Sequence, residues 1–448
     1  MGRGNIEKYS SGYAILKHLA GTWHDNIFYR KIIVLGRENI NPDDHLIFAP
    51  NHQNALMDAL AVLFTLKGQP VFLARADIFK KKFIASLLYF LKILPVYRIR
   101  DGYSSLKENE DIFNKTIDVI KNKNGLVILP EGDHAGFRRL RQLKKGICRV
   151  AFQADEASNF TLKIKIIPVG IEYSNYTRVR QVLSVVYGKP IEVSEYHQLY
   201  RENPEKALTE LRNRLSSEMK RIMVHIDSVD DYEAIDELRS IVNGKYSDDI
   251  RFPKLFRDRI LIENLNNLKA VDPEKYNKIC SLSLQVKRMT GELDLDYRLL
   301  EKKKHSAVWL AAGIAVLIIT FPLFLFGSIF TLTFLSLPEL QIRKIKDLQF
   351  HSSFKYVISL FLALIIFPLY LILAFLFFTP VWLALAIFLA IPLAGIFAWN
   401  YRILFRRITG GFRIRKYMSG KNPDFVALMK NYRELMELVS GLKDERKQ

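Results

Sequence analysis

The stretch His45-Leu46-Ile47-Phe48-Ala49-Pro50-Asn51-His52-Gln53-Asn54-Ala55-Leu56-Met57-Asp58, continued by Ala59-Leu60-Ala61-Val62-Leu63-Phe64, decides the fold class. A short apolar run ends at a polar turn, and apolar residues then dominate a helix-length segment, so the stretch reads as strand, turn and helix. Working outward, further apolar, β-branched runs occur at Lys31–Leu35, Val71–Ala74, Leu94–Ile99, Leu126–Leu129, Ile164–Ile171 and Val182–Tyr187. Helical patterns separate several of them, at Ala55–Leu66, Lys81–Leu91, Ser105–Lys121 and Lys145–Ala157. Such alternation implies a mostly parallel sheet flanked by helices, with its chemistry on loops beyond the strand ends. The expected class is α/β, followed by a helical segment and C-terminal transmembrane hairpins.

That extension rests on two uncharged blocks, Ser306 to Pro338 and Tyr356 to Tyr401. As a helix the second block would reach roughly 69 Å, about twice the hydrocarbon thickness of a bilayer, so it is expected to cross twice, turning at Thr379-Pro380. The first block is long for one crossing and is interrupted at Pro322 and Gly327. Lys302, Lys303 and Lys304 precede it, Arg343, Lys344, Lys346 and Lys355 separate the blocks, and Arg402, Arg406, Arg407, Arg413, Arg415 and Lys416 follow. If basic loops stay inside, each block goes in and comes back, giving two hairpins, the first re-entrant or spanning. The expected domains are an amphipathic N-terminal segment (1–30), an α/β domain (31–200), a helical linker or lid (201–304), membrane hairpins (305–401) and a basic cytoplasmic tail (402–448).

Composition agrees with that division. The chain of 448 residues carries 66 Lys+Arg against 46 Asp+Glu, a net charge of +20, and its 49% hydrophobic content excludes a disordered chain. Cys148 and Cys280 are too few for a disulfide framework or a thiolate metal site, which suits a reducing compartment. No cleavable signal pattern opens the sequence, so the α/β domain is expected on the cytoplasmic side of a multi-pass membrane protein. Nucleic-acid binding is disfavoured because no recognisable module appears and the basic clusters flank apolar blocks.

Two polar constellations carry the chemistry. His52 lies at a strand-to-helix turn, and Asp58 stands in an otherwise apolar segment where an unpartnered carboxylate would be costly. An imidazole whose Nδ1–H bonds that carboxylate keeps Nε2 free to take a proton from an alcohol; the alternative is that His52 and Asp58 only cap backbone. The second is Pro130-Glu131-Gly132-Asp133-His134, followed by Arg138, Arg139, Arg141, Lys144 and Lys145. Cations after a tight turn suit an anionic phosphate ester, or else a solvated or membrane-facing surface. Arg98, in Tyr97-Arg98-Ile99-Arg100, closes an earlier strand and is a further candidate for the same pocket.

In order and spacing these blocks resemble the glycerolipid acyltransferase superfamily over roughly residues 9 to 195. The resemblance runs through Gly36-Arg37-Glu38-Asn39, Ala49-Pro50-Asn51-His52 with Asp58, Leu94-Pro95-Val96-Tyr97-Arg98, Leu129-Pro130-Glu131-Gly132, Ile167-Pro168-Val169-Gly170 and Tyr187-Gly188-Lys189-Pro190-Ile191. It implies transfer of a fatty acyl group from an acyl thioester to the hydroxyl of glycerol-3-phosphate or 1-acylglycerol-3-phosphate in phospholipid synthesis. His52 would be the general base and Asp58 its orienting partner. Asn51, Glu131, Gly132 and His134 would line the acceptor site, with Arg98 on phosphate and Pro168 shaping a groove. Membrane lipids and either acyl-CoA or acyl carrier protein would be the partners, with no metal and no cofactor beyond the acyl donor. Two departures stand out. Five residues separate His52 from Asp58 where the family has four, which on a helix would rotate the carboxylate by about 100°. The family's Glu-Gly-Thr-Arg is here Glu131-Gly132-Asp133-His134, which would shift phosphate binding to Arg138, Arg139 or Arg141. Rival readings are a metal-assisted hydrolase using His52, Asp58, Glu131 and His134, and a non-catalytic lipid-binding or scaffold protein.

Overall fold

The computed structural model describes residues 5–96, 105–244, 252–300 and 306–444. The chain forms two compact units, one of residues 1–225 with 347–353 and one of 226–346 with 354–448.

The first unit is built on a sheet of β1 (Tyr29–Leu35), β2 (Leu46–Pro50), β3 (Val71–Arg75), β4 (Ile93–Val96), β5 (Leu126–Val127), β6 (Lys165–Tyr173), β7 (Gln181–Tyr187) and β8 (Ile191–Glu192), in the order β1-β7-β6-β2-β5-β3-β4 with β8 on β6. β2 runs parallel to both neighbours, and among the described residues only the β6–β7 and β6–β8 pairs are antiparallel. The mostly parallel sheet is as expected. The central strands β2 and β5 bury every residue, which explains why they read as unbroken apolar runs instead of alternating ones. Helices α1 (Ser11–Thr22), α2 (Leu56–Thr65), α3 (Lys82–Phe90), α4 (Ser105–Lys121), α5 (Gly146–Glu156), α6 (His197–Glu202) and α7 (Pro204–Ile222) complete the unit.

Composition placed a boundary at 200, yet α7 belongs to the sheet. Its Leu208, Leu211, Leu215 and Met219 join the same core as Ile47, Val71 and Ile166. At Gly170 of β6 an added Cβ would meet the Ile222 carbonyl oxygen at 2.4 Å, so helix end and strand approach as backbone on backbone.

The second unit gathers α8 (Tyr232–Asn243), α9 (Lys254–Val271), α10 (Pro273–Glu292), α11 (Ala307–Thr331), α12 (Leu337–Gln341), α13 (His351–Phe377), α14 (Val381–Ser419) and α15 (Pro423–Asp444), α13 entering it after its first turn. Arg239, Asn243 and Lys254 converge on the buried Asp258 carboxylate. The basic segment after 401 is helical: α14 continues through it, and α15 meets α10 through Lys278–Glu434 and Asn431–Gln285.

Among the described residues, three helical runs are long and apolar enough to cross a membrane, Ala307–Lys344, Leu348–Phe377 and Val381–Ser419, which marks the chain as a membrane protein. The second uncharged block divides into α13 and α14, with the break at Thr379-Pro380. The first block differs from its expected path in and back. It is one helical run, because Pro322 is carried inside α11 and a π-turn at Leu332–Ser336 passes the chain on into α12. α11 packs on α14 through small residues: a Cβ at Gly327 would lie 1.9 Å from the Ala394 carbonyl oxygen.

Candidate active site

β2 ends at Pro50 and delivers Asn51 and His52 beyond the C-terminal edge of the sheet, where α/β folds place their ligands. Asn51 is buried and acts on the scaffold: its Nδ2 donates to the Ile171 carbonyl at 3.1 Å and its Oδ1 accepts the Ile171 N–H at 2.6 Å. The side chain thereby extends the β2–β6 ladder by one residue and holds the start of the His52 turn. Pro168, in register with Ala49, lies on the neighbouring strand and accepts the Gly188 N–H at 2.8 Å.

The spacing departure between His52 and Asp58 is absorbed before the helix begins. Ala55 precedes α2 at φ 46°, ψ −126°, a positive φ that a residue with a Cβ rarely adopts. This reversal folds Asp58, in the first turn of α2, back onto residues 52–54. Asp58 Oδ2 accepts from His52 Nδ1 at 2.9 Å and from the Gln53 and Asn54 N–H groups at 2.7 Å each. Its Oδ1 accepts from the Tyr173 hydroxyl at 2.8 Å. A fully buried carboxylate with four donors is well compensated, and each such charge-assisted bond is worth about 1.5–3 kcal/mol. The pairing assigns the proton of the imidazole to Nδ1 and leaves Nε2 as the basic nitrogen. The His52 side chain is 17% exposed, enough for a small group to reach it.

Tyr173 has no signal in the sequence that would single it out. It sits at the end of β6, completely buried, and burial with the Asp58 charge pushes its hydroxyl pKa well above the ordinary range, so it stays a donor. Tyr176 supports the same turn, donating to Gln53 Oε1 at 2.6 Å and accepting Asn54 Nδ2 on its carbonyl at 3.3 Å.

Glu131 stands opposite. Its Oε1 accepts the His52 N–H at 2.7 Å, and its Oε2 accepts the Arg141 N–H at 3.1 Å and Nε at 3.3 Å. Burial pushes its carboxyl pKa up, against the lowering pull of these donors. Glu131 therefore locks the His52 turn to the loop after β5. Gly132 makes the tight turn there at φ +72°.

The basic run is only partly available to a ligand. Arg138 is buried, with Nε on Glu172 at 2.7 Å, Nη2 on the Tyr173 carbonyl at 2.8 Å, and its guanidinium 4.6 Å from the Tyr176 ring centre. Its charge is matched internally, so the expected phosphate contact does not fit this residue. Arg141 ties Glu131 to the Asp133 carbonyl but keeps its side chain 30% exposed. Arg139 lies over the Phe137 ring, and Lys145 pairs with Glu205 at 2.7 Å. Arg98, with Tyr97 and Arg100, lies outside the described residues. His134 stands beside His52, the ring centres 5.4 Å apart, and burial with the nearby imidazole holds its pKa below the ordinary 6.5. All four oxygens of Asp58 and Glu131 already accept N–H or O–H donors, a poor starting point for the metal-ligand roles of a metal-assisted hydrolase.

The Acyltransferase family model matches residues 31–172, which span β1 to β6 and include His52, Asp58 and Glu131. The chain is 24% identical over 134 residues to glycerol-3-phosphate O-acyltransferase 2 of Saccharomyces cerevisiae; the match covers 30% of this chain and 18% of that protein. Among solved structures it is similar to the 1-acyl-sn-glycerophosphate (LPA) acyltransferase of Thermotoga maritima, with a TM-score of 0.33 and 20% identity over 46% of this chain and 79% of the other. The family model thus identifies residues 31–172, about a third of the chain, as an acyltransferase domain.

Proposed function

We propose that the chain is a membrane-bound O-acyltransferase that moves a fatty acyl group from a thioester to a hydroxyl of glycerol-3-phosphate or 1-acylglycerol-3-phosphate. The observation that carries this reading is the Nδ1–Asp58 bond of 2.9 Å, which leaves His52 Nε2 as a base. In the proposed step Nε2 takes the acceptor's O–H proton while the oxygen attacks the thioester carbonyl. The tetrahedral oxyanion then collapses, and the leaving thiolate takes the proton from the imidazolium. Asp58 favours the transient imidazolium, and no covalent acyl-enzyme is needed. Arg139 and Arg141 are the cationic side chains offered to the acceptor phosphate, with Glu131, Gly132 and His134 shaping the loop that presents it. Asn51 and Pro168 act through the sheet edge.

Three apolar helical runs suit an enzyme whose substrates are lipids, and basic residues beside them gain about 1 kcal/mol each near an anionic leaflet. The reading places the α/β unit on the cytoplasmic side, where acyl-CoA or acyl carrier protein is met.

The test offers labelled acyl-CoA and acyl carrier protein to the purified full chain with each acceptor. His52→Ala should lose about two to four decades of turnover while keeping its thermal unfolding profile. A variant retaining more than about a tenth of wild-type activity would refute His52 as the base.

A further inference from the structure

The turn Asp347–Ser353 joins the first apolar helical run to the second, yet it belongs to the same compact unit as the acyltransferase domain. Composition marks it only as a polar interruption. In the structure it is a short strap: Asp347 caps a single 3-10 turn by accepting the Gln349 N–H at 3.0 Å, and α13 begins directly afterwards at His351.

Among the described residues, four contacts hold the strap beside the proposed base. The Phe350 ring stands edge-on to His134, centres 4.7 Å apart at 81°, and His134 meets His52 at 5.4 Å and 67°. Three rings therefore run in series from the strap to the proposed base. Gln349 packs on the loop after His134 so closely that a Cβ at Gly136 would lie 2.9 Å from its Cγ. Ser352, buried, donates its hydroxyl to the Tyr176 carbonyl, and Tyr176 in turn holds Gln53, the neighbour of His52. Asp347 Oδ2 lies 3.9 Å from His134 Nε2, at the rim of the same cluster.

We propose that this strap is the acceptor-selecting wall of the site, with Phe350 as the residue that limits how bulky an acceptor can bring its hydroxyl to His52. The inference rests on the acyl-transfer reading and refines it. A hydroxyl must come within about 3 Å of Nε2 to lose its proton, so whatever adjoins that hydroxyl must fit beside His134 and Phe350. The unacylated three-carbon acceptor needs little room there, whereas 1-acylglycerol-3-phosphate brings an ester next to the reacting carbon.

The experiment measures kcat/KM for both acceptors with the full chain in lipid nanodiscs, for wild type, Phe350→Ala and Phe350→Trp. The Ala variant should raise the preference for 1-acylglycerol-3-phosphate over glycerol-3-phosphate about tenfold, and the Trp variant should lower it. A merely structural role would depress both acceptors together and leave their ratio alone. A ratio unmoved by both substitutions overturns the wall while leaving the acyl-transfer reading standing. A wild-type chain that acylates neither acceptor overturns both.

Discussion

Asp58→Asn isolates the charge of the carboxylate from its shape. An asparagine can set its Oδ1 where Asp58 Oδ2 now accepts from His52 Nδ1 and from the Gln53 and Asn54 N–H groups, and its amide can donate to the Tyr173 oxygen once that hydroxyl rotates. The turn is kept and the negative charge is lost. In the proposed step His52 takes the acceptor's proton, and the new imidazolium would have its positive charge about 4 Å from the carboxylate, worth about 4 kcal/mol at an effective dielectric of about 20. Losing that attraction in the transition state slows the reaction by about three decades. Asp58→Ala removes the shape as well, stranding two buried backbone N–H groups at about 1–3 kcal/mol each. Acyl transfer from labelled acyl-CoA, measured beside thermal unfolding in detergent, separates the two effects. The Asn variant should be slow and stable, and the Ala variant slow and destabilised. An Asn variant within about tenfold of wild-type turnover would show that the carboxylate charge does not assist His52 and would undo the mechanism proposed.

Tyr173→Phe removes one of the four donors to that carboxylate, so turnover should fall about tenfold and unfolding should come earlier by about 1.5–3 kcal/mol, read from matched rate and melting measurements. His134 has a folded pKa below its unfolded 6.5, so the unfolded chain binds more protons and stability falls as pH drops from 6.5 towards the folded value. His134→Gln should flatten that acid-side slope in a melting series between about pH 5 and 7 and leave stability above that window unaffected by this group. Gly170→Ala forces a methyl group against the Ile222 carbonyl oxygen, and a loss of about 1–3 kcal/mol is expected from denaturant unfolding.

The parts of the molecule legible in its sequence are those that local physics dictates. Buried parallel strands such as β2 announce themselves as unbroken apolar runs, and the uncharged length of 356–401 sets the turn at Thr379-Pro380. His52 and Asp58 could be named because an acid in an apolar helix requires a partner. What spacing could not supply is how five intervening residues bring the pair together, since that depends on a backbone angle at Ala55 that no propensity favours. Nor could charge alone sort the basic run. Arg138 is paired with Glu172 of β6, and Arg141 with Glu131, so the same residue type forms scaffold at one position and a partly exposed edge at the next. Tyr173 and the Asp347–Ser353 strap were invisible for a further reason: each reaches the site through contacts distant in sequence, and a tyrosine in a strand or a phenylalanine before an apolar helix is what packing alone would place there. The strap also explains why a polar turn between two apolar runs should carry a phenylalanine. The turn packs within the α/β unit through Phe350 on His134 and Ser352 on the Tyr176 carbonyl, so its composition answers to that packing as well as to the apolar helices it joins.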